Sequence, residues 1–247
     1  MPDASSSDSA HEVAVLVPAA GEGSRIGGRR KQYRTLGGRP LLVQVLLAFE
    51  RHPSVGHLIV AAPEDHVSEV SDRLQAEGLR AVTAVVSGGD SRQASVRHAL
   101  RAVPAPVEAV LVHDAVRPFV TEAEVQSVID AVRAHGAASL AIPVADTLRS
   151  GSDRVFGETV PRDGLYRMQT PQGFRRAWLE EAHRQAAPDD EAPATDDVGL
   201  VQRTGREVHI VPGSRRNFKI TTPADWEFAQ QLWGPWSRDL DRSSSAV

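Results

Sequence analysis

The sequence predicts an α/β fold in which helices flank a mostly parallel, Rossmann-like β-sheet. Short apolar segments rich in valine alternate with segments whose apolar residues recur at helical spacing, as in consecutive βα units. Glycine-rich or charged turns follow several of these apolar segments, at the position where the loops of a parallel sheet bind ligands. The alternation stops at Asp146, so we expect a different kind of element from there on.

The first predicted strand, Val13-Ala14-Val15-Leu16-Val17, is continuously apolar, which suits a strand buried on both faces of a sheet. The other predicted strands cover residues 57–62, 81–86, 109–112, 139–144 and 207–211. Helices are predicted after Pro40, over 67–78, after Ser91, after a capping box at Thr121 and Glu124, over 175–185, near Asp197 and after Thr222.

Residues 147–170 form two extended segments around Ser150-Gly151-Ser152-Asp153 and show no helical period. We therefore expect a protruding β-hairpin arm at about residues 146–170. A two-stranded hairpin is marginally stable in water by itself, and the apolar side chains of Val155, Phe156 and Val160 need cover. The arm thus predicts a homodimer in which it packs on the second subunit.

Composition excludes several classes of function. The 247 residues carry a formal net charge of −4, so no global basic field favours binding of nucleic acid. The chain has no cysteine, which excludes disulfides, thiolate metal sites and a cysteine nucleophile. No apolar run is long enough to cross a membrane and no signal-peptide pattern is present, so we expect a cytoplasmic protein that does not bind membranes.

A single domain is expected over residues 12–237, which is long enough to bury a sizeable core. Residues 1–11 are rich in serine, aspartate and alanine, and residues 238–247 are also mostly polar. Because neither end has enough apolar residues to bury, both are predicted to be disordered tails.

The most informative stretch is residues 13–34, where a strand leads into a glycine-rich, basic loop. The loop glycines let the backbone approach a ligand closely and turn its N–H groups toward an anion. They are Gly21, Gly23, Gly27 and Gly28, and the cations beside them are Arg25, Arg29, Arg30, Lys31 and Arg34. The loop lacks the Gly-Lys pair of a Walker A motif, and its third glycine falls one place late for the dinucleotide fingerprint. We interpret the loop as a receptor for a polyphosphate.

Two further turns follow predicted strands, Gly88-Gly89-Asp90-Ser91-Arg92-Gln93 and Asp114-Ala115-Val116-Arg117-Pro118. Together with Pro18-Ala19-Ala20-Gly21-x-Gly23-x-Arg25, Lys31-Gln32-Tyr33 and Asp146-Thr147, they make five motifs in order. In these motifs the chain resembles the 2-C-methyl-D-erythritol 4-phosphate cytidylyltransferase family of the non-mevalonate isoprenoid pathway. The resemblance extends from about Val13 to Leu232.

The resemblance implies a nucleotidyltransferase fold and an in-line reaction between two small molecules. A phosphate oxygen of methylerythritol phosphate attacks the α-phosphorus of CTP, and pyrophosphate leaves. Arg25 and Lys31 would be the catalytic cations that stabilise the charge on the reacting phosphates. The nucleotide would be held by residues of both glycine-rich turns and two later residues, namely Pro18, Ala19, Ala20, Gly21, Gly23, Gly88, Gly89, Asp90, Ser95 and Thr170.

The same resemblance implies the acceptor contacts. Arg162 and Lys219 would grip the acceptor phosphate as catalytic residues, and the remaining contacts would be Asp114, Arg117, Thr147 and Thr195. Because Thr147 and Arg162 lie on the arm, the resemblance places them in the neighbouring subunit's site. Mg²⁺ or another divalent cation is the expected cofactor, with Asp114 as its candidate ligand.

Plainer interpretations exist for single residues. An ion pair with Arg117 would also account for Asp114, and helix capping would account for Thr195. His113 is not favoured as a general base, because a phosphate monoester is already an anion and needs no deprotonation.

Alternatives also exist for the function. A ribitol 5-phosphate cytidylyltransferase needs the same nucleotide loop, so the sequence discriminates poorly against it. A nucleotide-binding regulator without turnover is a further alternative, which the presence of Arg25, Lys31 and Lys219 disfavours. The other loop cations, Arg29, Arg30 and Arg34, are interpreted as solvated neighbours, and Trp226 and Trp233 as core residues.

Overall fold

The computed structural model describes residues 13–21, 30–186 and 194–244 of the chain. Gly23, Arg25 and the predicted N-terminal tail lie outside these described residues. Within the described ranges, the chain forms a seven-stranded sheet flanked by helices, together with two small two-stranded sheets.

The strands are β1 (Val13–Pro18), β2 (Thr35–Leu36), β3 (Arg39–Pro40), β4 (Val55–Ala62), β5 (Val82–Ser87), β6 (Ala109–Val112), β7 (Ala137–Pro143), β8 (Leu148–Ser152), β9 (Val155–Val160), β10 (Tyr166–Arg175) and β11 (His209–Pro212). The helices are α1 (Leu41–Glu50), α2 (Val67–Ala76), α3 (Arg92–Arg101), α4 (Glu122–His135), α5 (Arg176–Gln185), α6 (Asp197–Arg203) and α7 (Pro223–Ser244). Short 3-10 helices at Lys31–Tyr33 and Glu64–His66 precede β2 and α2.

The central sheet has the strand order β11-β7-β10-β6-β1-β4-β5. Neighbouring strands are parallel except for β10, which runs antiparallel to both β6 and β7. Leu16 of β1 lies beside Ile59 of β4 and Val112 of β6, so these strands end together. The predicted mostly parallel sheet is confirmed, and the turns that the sequence singled out follow its strands at one edge.

Side chains of β1 alternate between two buried layers. Val13, Val15 and Val17 pack with residues of α1, α2 and α4, whereas Ala14 and Leu16 pack with residues of α3, α5 and α6. Successive side chains of a strand point to opposite faces, so a continuously apolar strand is stable only where both faces are covered. This burial fixes the strand that leads into the loop after Pro18.

The segment predicted as an arm divides into two parts. β8 and β9 pair antiparallel, from Leu148 opposite Val160 to Ser152 opposite Val155, and form a hairpin outside the central sheet. Every residue of β9 is exposed, including Phe156 at 82%. From Tyr166 onward, however, the chain enters the central sheet as β10. The role of the hairpin in dimerisation stays a prediction.

β10 was missed because its central residues are polar although they are buried. Gln169, Thr170 and Gln172 have exposed fractions of 4%, 3% and 1%. Each is hydrogen-bonded to a residue distant in the sequence, so burial is tolerated without an apolar pattern. The arm therefore ends before Tyr166, rather than near Thr170 as the sequence predicts.

α7 packs on the rest of the chain through an apolar cluster that includes Phe119, Trp226 and Trp236. The guanidinium of Arg34 lies over the Trp226 ring at 4.5 Å from its centroid, so Arg34 packs on this cluster and is not merely solvated. The helix continues to Ser244, through residues that the sequence assigned to a disordered tail, since no glycine or proline follows Pro235. No helix in the described part of the chain combines the length and apolarity needed to span a membrane.

Candidate active site

A cavity of about 810 Å³ lies at the edge of the sheet where β1, β4, β5 and β6 end. It brings together residues that the sequence assigned to both substrates. These are residues 18–21, Lys31, residues 88–90, Ser95, Asp114 and Lys219. Arg30, interpreted from the sequence as a solvated neighbour, also lines the cavity.

The loop after β1 is held by Gln32, which belongs to a motif of the sequence but was assigned no role there. Gln32 Nε2 donates to the carbonyl oxygens of Ala19 at 2.7 Å and Gly21 at 2.9 Å. Its exposed fraction is 3%, so these bonds are shielded from water. Because Gln32 lies in the same 3-10 helix as Lys31, it ties the cation to the loop. Its place in the Lys-Gln-Tyr motif was the only signal in the sequence.

Gly88 is required because the two glycine-rich turns touch each other. A Cβ atom at Gly88 would lie 2.3 Å from the Cβ of Ala20, far inside van der Waals contact. The Gly88 N–H also donates to the carbonyl of Ala62, at the end of β4, at 2.7 Å. Any side chain at Gly88 would therefore push apart the two loops that line the cavity.

Ser95 shapes the second turn from inside. Its Oγ accepts from the Gly89 N–H at 3.1 Å and donates to the Ser91 carbonyl at 2.9 Å. Ser91 in turn caps α3, with its Oγ accepting from the Ala94 N–H at 3.0 Å. The turn is therefore held by its own hydrogen bonds, and Asp90 is exposed at its tip.

Three cations surround the Asp114 carboxylate. Lys219 Nζ lies 3.0 Å from Oδ2, Arg117 Nε lies 3.3 Å from Oδ2, and Arg92 Nε lies 3.3 Å from Oδ1. Burial alone would raise the pKa of the Asp114 carboxyl, but Lys219, Arg92 and Arg117 hold it below its usual range. Asp114 is therefore ionised, and the cluster of four side chains carries a net positive charge. The predicted Asp114–Arg117 ion pair is present, within a larger network that includes Arg92.

Arg117 and Lys219 are fixed by the backbone around Asn217. Arg117 Nη1 donates to the Asn217 carbonyl at 2.8 Å, and Nη2 donates to the Met168 carbonyl at 3.3 Å. Asn217 Nδ2 donates to the Thr170 carbonyl at 2.8 Å. The segment that carries Lys219 is thus anchored on β10 and on the turn after β6. Asn217 is a second supporting residue that the sequence did not indicate.

His113 and Thr170 form a chain of hydrogen bonds behind the cavity. His113 Nε2 lies 3.0 Å from the Arg117 carbonyl, and a carbonyl only accepts, so Nε2 carries the proton. Nδ1 then accepts from the Thr170 hydroxyl at 3.1 Å, and the Thr170 oxygen accepts from the Asp114 N–H at 3.1 Å. Burial lowers the pKa of His113 to about 4. His113 is thus a neutral residue that orients Asp114, and Thr170 lies behind the cavity rather than in its lining.

Four predicted acceptor contacts do not line the cavity of their own chain. One of them, Arg117, is buried as a partner of Asp114. Thr147 and Arg162 are exposed beside the β8–β9 hairpin, where Arg162 Nη1 donates to the Ala145 carbonyl. Thr195 is exposed before α6. It does not cap that helix, because Asp196 is the N-cap and accepts from the Gly199 N–H at 3.0 Å.

Comparison with known proteins identifies the family. The profile of the IspD family, described as 2-C-methyl-D-erythritol 4-phosphate cytidylyltransferase, matches residues 13–234. The chain belongs to this family. It is therefore a cytidylyltransferase, which is a kind of nucleotidyltransferase, as the sequence motifs predicted.

Individual relatives of the cytidylyltransferase match its sequence or its fold along nearly the whole chain. The enzyme of this name from Salinibacter ruber is 67% identical over 238 residues, covering 95% of this chain and 99% of the relative. The enzyme from Deinococcus radiodurans is 43% identical, and the match covers 92% of this chain and 91% of the relative. The crystal structure of the Thermus thermophilus enzyme has a TM-score of 0.75 at 39% identity and covers 90% and 98%. That of 4-diphosphocytidyl-2C-methyl-D-erythritol synthase from Anaerococcus prevotii has a TM-score of 0.76 at 29% identity and covers 91% and 99%.

The described residues of this cytidylyltransferase do not make a metal site of their own. They contain no cluster of three or more histidine, aspartate or glutamate side chains that could hold an ion. Both oxygens of Asp114 are already within 3.3 Å of a cationic nitrogen. A divalent cation would meet the charges of Arg92, Arg117 and Lys219 there, so the geometry disfavours Asp114 as its ligand.

Proposed function

We propose that the cavity is divided between the two substrates of the family reaction. In that reaction CMP passes from CTP to 2-C-methyl-D-erythritol 4-phosphate, which gives 4-diphosphocytidyl-2-C-methyl-D-erythritol and pyrophosphate for isoprenoid biosynthesis. One observation carries the division. The backbone of two glycine-rich turns lines the same cavity as the Asp114–Lys219 ion pair. Hydrogen-bond donors for a triphosphate therefore lie next to a site for a phosphorylated polyol.

The nucleotide half consists of residues 18–21, residues 88–90 and Lys31. Backbone N–H groups of such turns bind phosphate oxygens, and the Lys31 ammonium adds a mobile positive charge. Lys31 stabilises the charge that develops on the α-phosphoryl and pyrophosphate groups as the P–O bond breaks. Arg25 shares this role in the proposal, on the strength of the motif alone, because it lies outside the described residues.

The acceptor half is the cluster around Asp114. Its net positive charge attracts the acceptor phosphate, and the Asp114 carboxylate accepts hydrogen bonds from acceptor hydroxyls. Lys219 has a side chain that is 41% exposed, so it can turn from Asp114 to the incoming phosphate. The phosphate oxygen that attacks is already anionic, so positioning replaces general-base catalysis. The neutral, fully hydrogen-bonded His113 fits this absence of a base.

The proposal includes a homodimer that completes the site. Thr147 and Arg162 lie outside the cavity of their own chain, beside a hairpin whose Val155 and Phe156 are 70% and 82% exposed. Burial of these side chains on a second subunit would stabilise the dimer and carry Arg162 to the partner's acceptor phosphate. The proposal also places the enzyme in the cytoplasm.

We propose that a divalent cation binds together with CTP. Phosphate oxygens are the hard ligands that Mg²⁺ prefers, and the triphosphate supplies them. The proposal assigns this cation no ligand from the chain.

Release of pyrophosphate from CTP tests the proposal. We expect release with 2-C-methyl-D-erythritol 4-phosphate and little with ribitol 5-phosphate at equal concentration. Preference for ribitol 5-phosphate would contradict the acceptor assignment. Binding of CTP without release for any acceptor would indicate a regulator rather than an enzyme.

A further inference from the structure

Asp197 is a buried carboxylate that the proposed mechanism does not use. It begins α6, and its exposed fraction is 0%. Its Oδ2 accepts from Arg92 Nη1 at 2.6 Å, although the two residues lie 105 positions apart in the sequence. Its Oδ1 faces His183 Nε2 at 3.5 Å, which is too long for a strong hydrogen bond. Arg92 is therefore the main partner of the Asp197 charge.

The start of α6 is fixed to the central sheet by one amide side chain. Gln172 Oε1 accepts from the Asp197 N–H at 3.1 Å, and Gln172 Nε2 donates to Asp196 Oδ2 at 3.0 Å. Gln172 lies in β10 opposite Val112, the last residue of β6. Asp197 is thus anchored to the strand pair that leads to Asp114.

Arg92 connects this anchor to the cavity. Its side chain is 27% exposed and lines the cavity, and its Nε donates to Asp114 Oδ1 at 3.3 Å. Burial would lower the pKa of Arg92, but Asp197 and Asp114 raise it above its ordinary value, so the guanidinium stays charged. Because the guanidinium is rigid and planar, holding Nη1 on Asp197 also sets the direction of Nε.

We propose that Asp197 is a positioning residue for the acceptor: it holds the Arg92 guanidinium, and Arg92 holds the Asp114 carboxylate at the cavity. The inference rests on the proposed assignment of Asp114 to the acceptor. The nucleotide turn does not depend on Asp197, because Ser91 and Ser95 hold it by their own hydrogen bonds. Loss of Asp197 therefore affects the acceptor and spares CTP.

Steady-state kinetics of Asp197→Asn, with each substrate varied separately, test the proposal. Asparagine keeps the shape of the side chain and removes its charge, so Arg92 loses its anchor. We expect KM for 2-C-methyl-D-erythritol 4-phosphate to rise on the order of tenfold and KM for CTP to stay within about twofold. An unchanged acceptor KM, or an equal rise in both constants, overturns the proposal.

A double-mutant cycle with Arg92→Gln separates positioning from general support of the fold. If Asp197 acts through Arg92, Asp197→Asn has no further effect on the acceptor KM in the Arg92→Gln background. Additive increases overturn the proposal. Glu181→Gln is the matched control. Glu181 Oε2 lies 2.6 Å from Arg206 Nη2, the same distance as in the Asp197–Arg92 pair, and neither residue lines the cavity. The control variant should leave both constants unchanged.

Arg92→Lys keeps the inference testable if Asp197→Asn does not fold. Lysine keeps the charge but lacks the planar fork that bridges two carboxylates, so we expect the same selective rise in acceptor KM. If both KM values of Arg92→Lys equal those of the wild type, the proposal is overturned. Absence of turnover in the wild-type enzyme would instead contradict the proposed function, so the two failures are distinguishable.

Discussion

Lys219 Nζ lies 3.0 Å from Oδ2 of Asp114, and this ion pair joins two segments separated by about a hundred residues. Asp114 follows β6, whereas Lys219 lies on the segment that leads into α7. Asp114 also pairs with Arg92 and Arg117, so this carboxylate contacts three cations, of which Arg92 is shared with Asp197. Most of the charge balance of the acceptor half therefore depends on this one side chain.

Asp114→Asn should therefore destabilise the fold. The substitution leaves the buried guanidinium of Arg117 without its carboxylate, which typically costs about 3 kcal/mol in free energy of unfolding. Lys219→Met removes a partner that is 41% exposed and should cost less than about 1 kcal/mol. Urea denaturation of both variants at pH 7 measures the difference. Equal stability of the two variants would contradict the central place of Asp114.

Gly88→Ala should weaken CTP binding without unfolding the chain. Its Cβ would lie 2.3 Å from that of Ala20, so the two loops must separate by more than an ångström. We expect KM for CTP to rise at least about tenfold. Gly199→Ala is the control, since its Cβ meets Asp196 Oδ1 at an ordinary 3.5 Å. If adding Ala20→Gly to Gly88→Ala brings no recovery, the contact between the loops is not the cause.

The fold was largely predictable because apolar runs such as Val13-Ala14-Val15-Leu16-Val17 require burial on both faces. The position of the site followed from the parallel strands, whose carboxyl ends bring together loops that are distant in the sequence. This is why Lys31, Gly88 and Asp114 line one cavity as expected.

The supporting residues were not predictable from the sequence. Gln32 bonds carbonyls 11 and 13 positions away, and Asp197 pairs with a side chain 105 positions away. Nothing in the local sequence indicates such partners, because a buried polar side chain is accounted for only once its hydrogen bonds are known. β10 was missed for the same reason, since Gln169 and Gln172 interrupt its apolar pattern while both are buried.

His113 should make the stability of the fold depend on pH below neutrality. Its pKa is about 4 in the folded chain and about 6.5 in the unfolded chain. Between these values the unfolded chain binds a proton that the folded chain does not, so stability rises with pH and is fully present above about 6.5. The difference between the two pKa values corresponds to about 3 kcal/mol in the free energy of unfolding.

His113→Gln should flatten this dependence, because glutamine does not titrate and can still donate to the Arg117 carbonyl. Chemical denaturation at several pH values between 4 and 7 measures the slope for both proteins. Burial also lowers the pKa of His52, so part of the dependence should remain in the variant. An identical slope in both proteins would show that His113 is not the group responsible.

Arg162 and Lys219 should complement each other between subunits if the hairpin carries Arg162 into the partner's site. We expect Arg162→Ala and Lys219→Ala to be nearly inactive when each is purified alone. In a mixed dimer, one site would combine the intact Lys219 of one subunit with the intact Arg162 of the other. Random pairing makes about half of the dimers mixed, with one intact site in each, so the refolded mixture should recover about a quarter of wild-type activity. A mixture of Lys219→Ala with Asp114→Asn is the control, because both residues lie in the same chain's cavity and no intact site forms. Recovery in neither mixture would mean that each subunit uses its own Arg162.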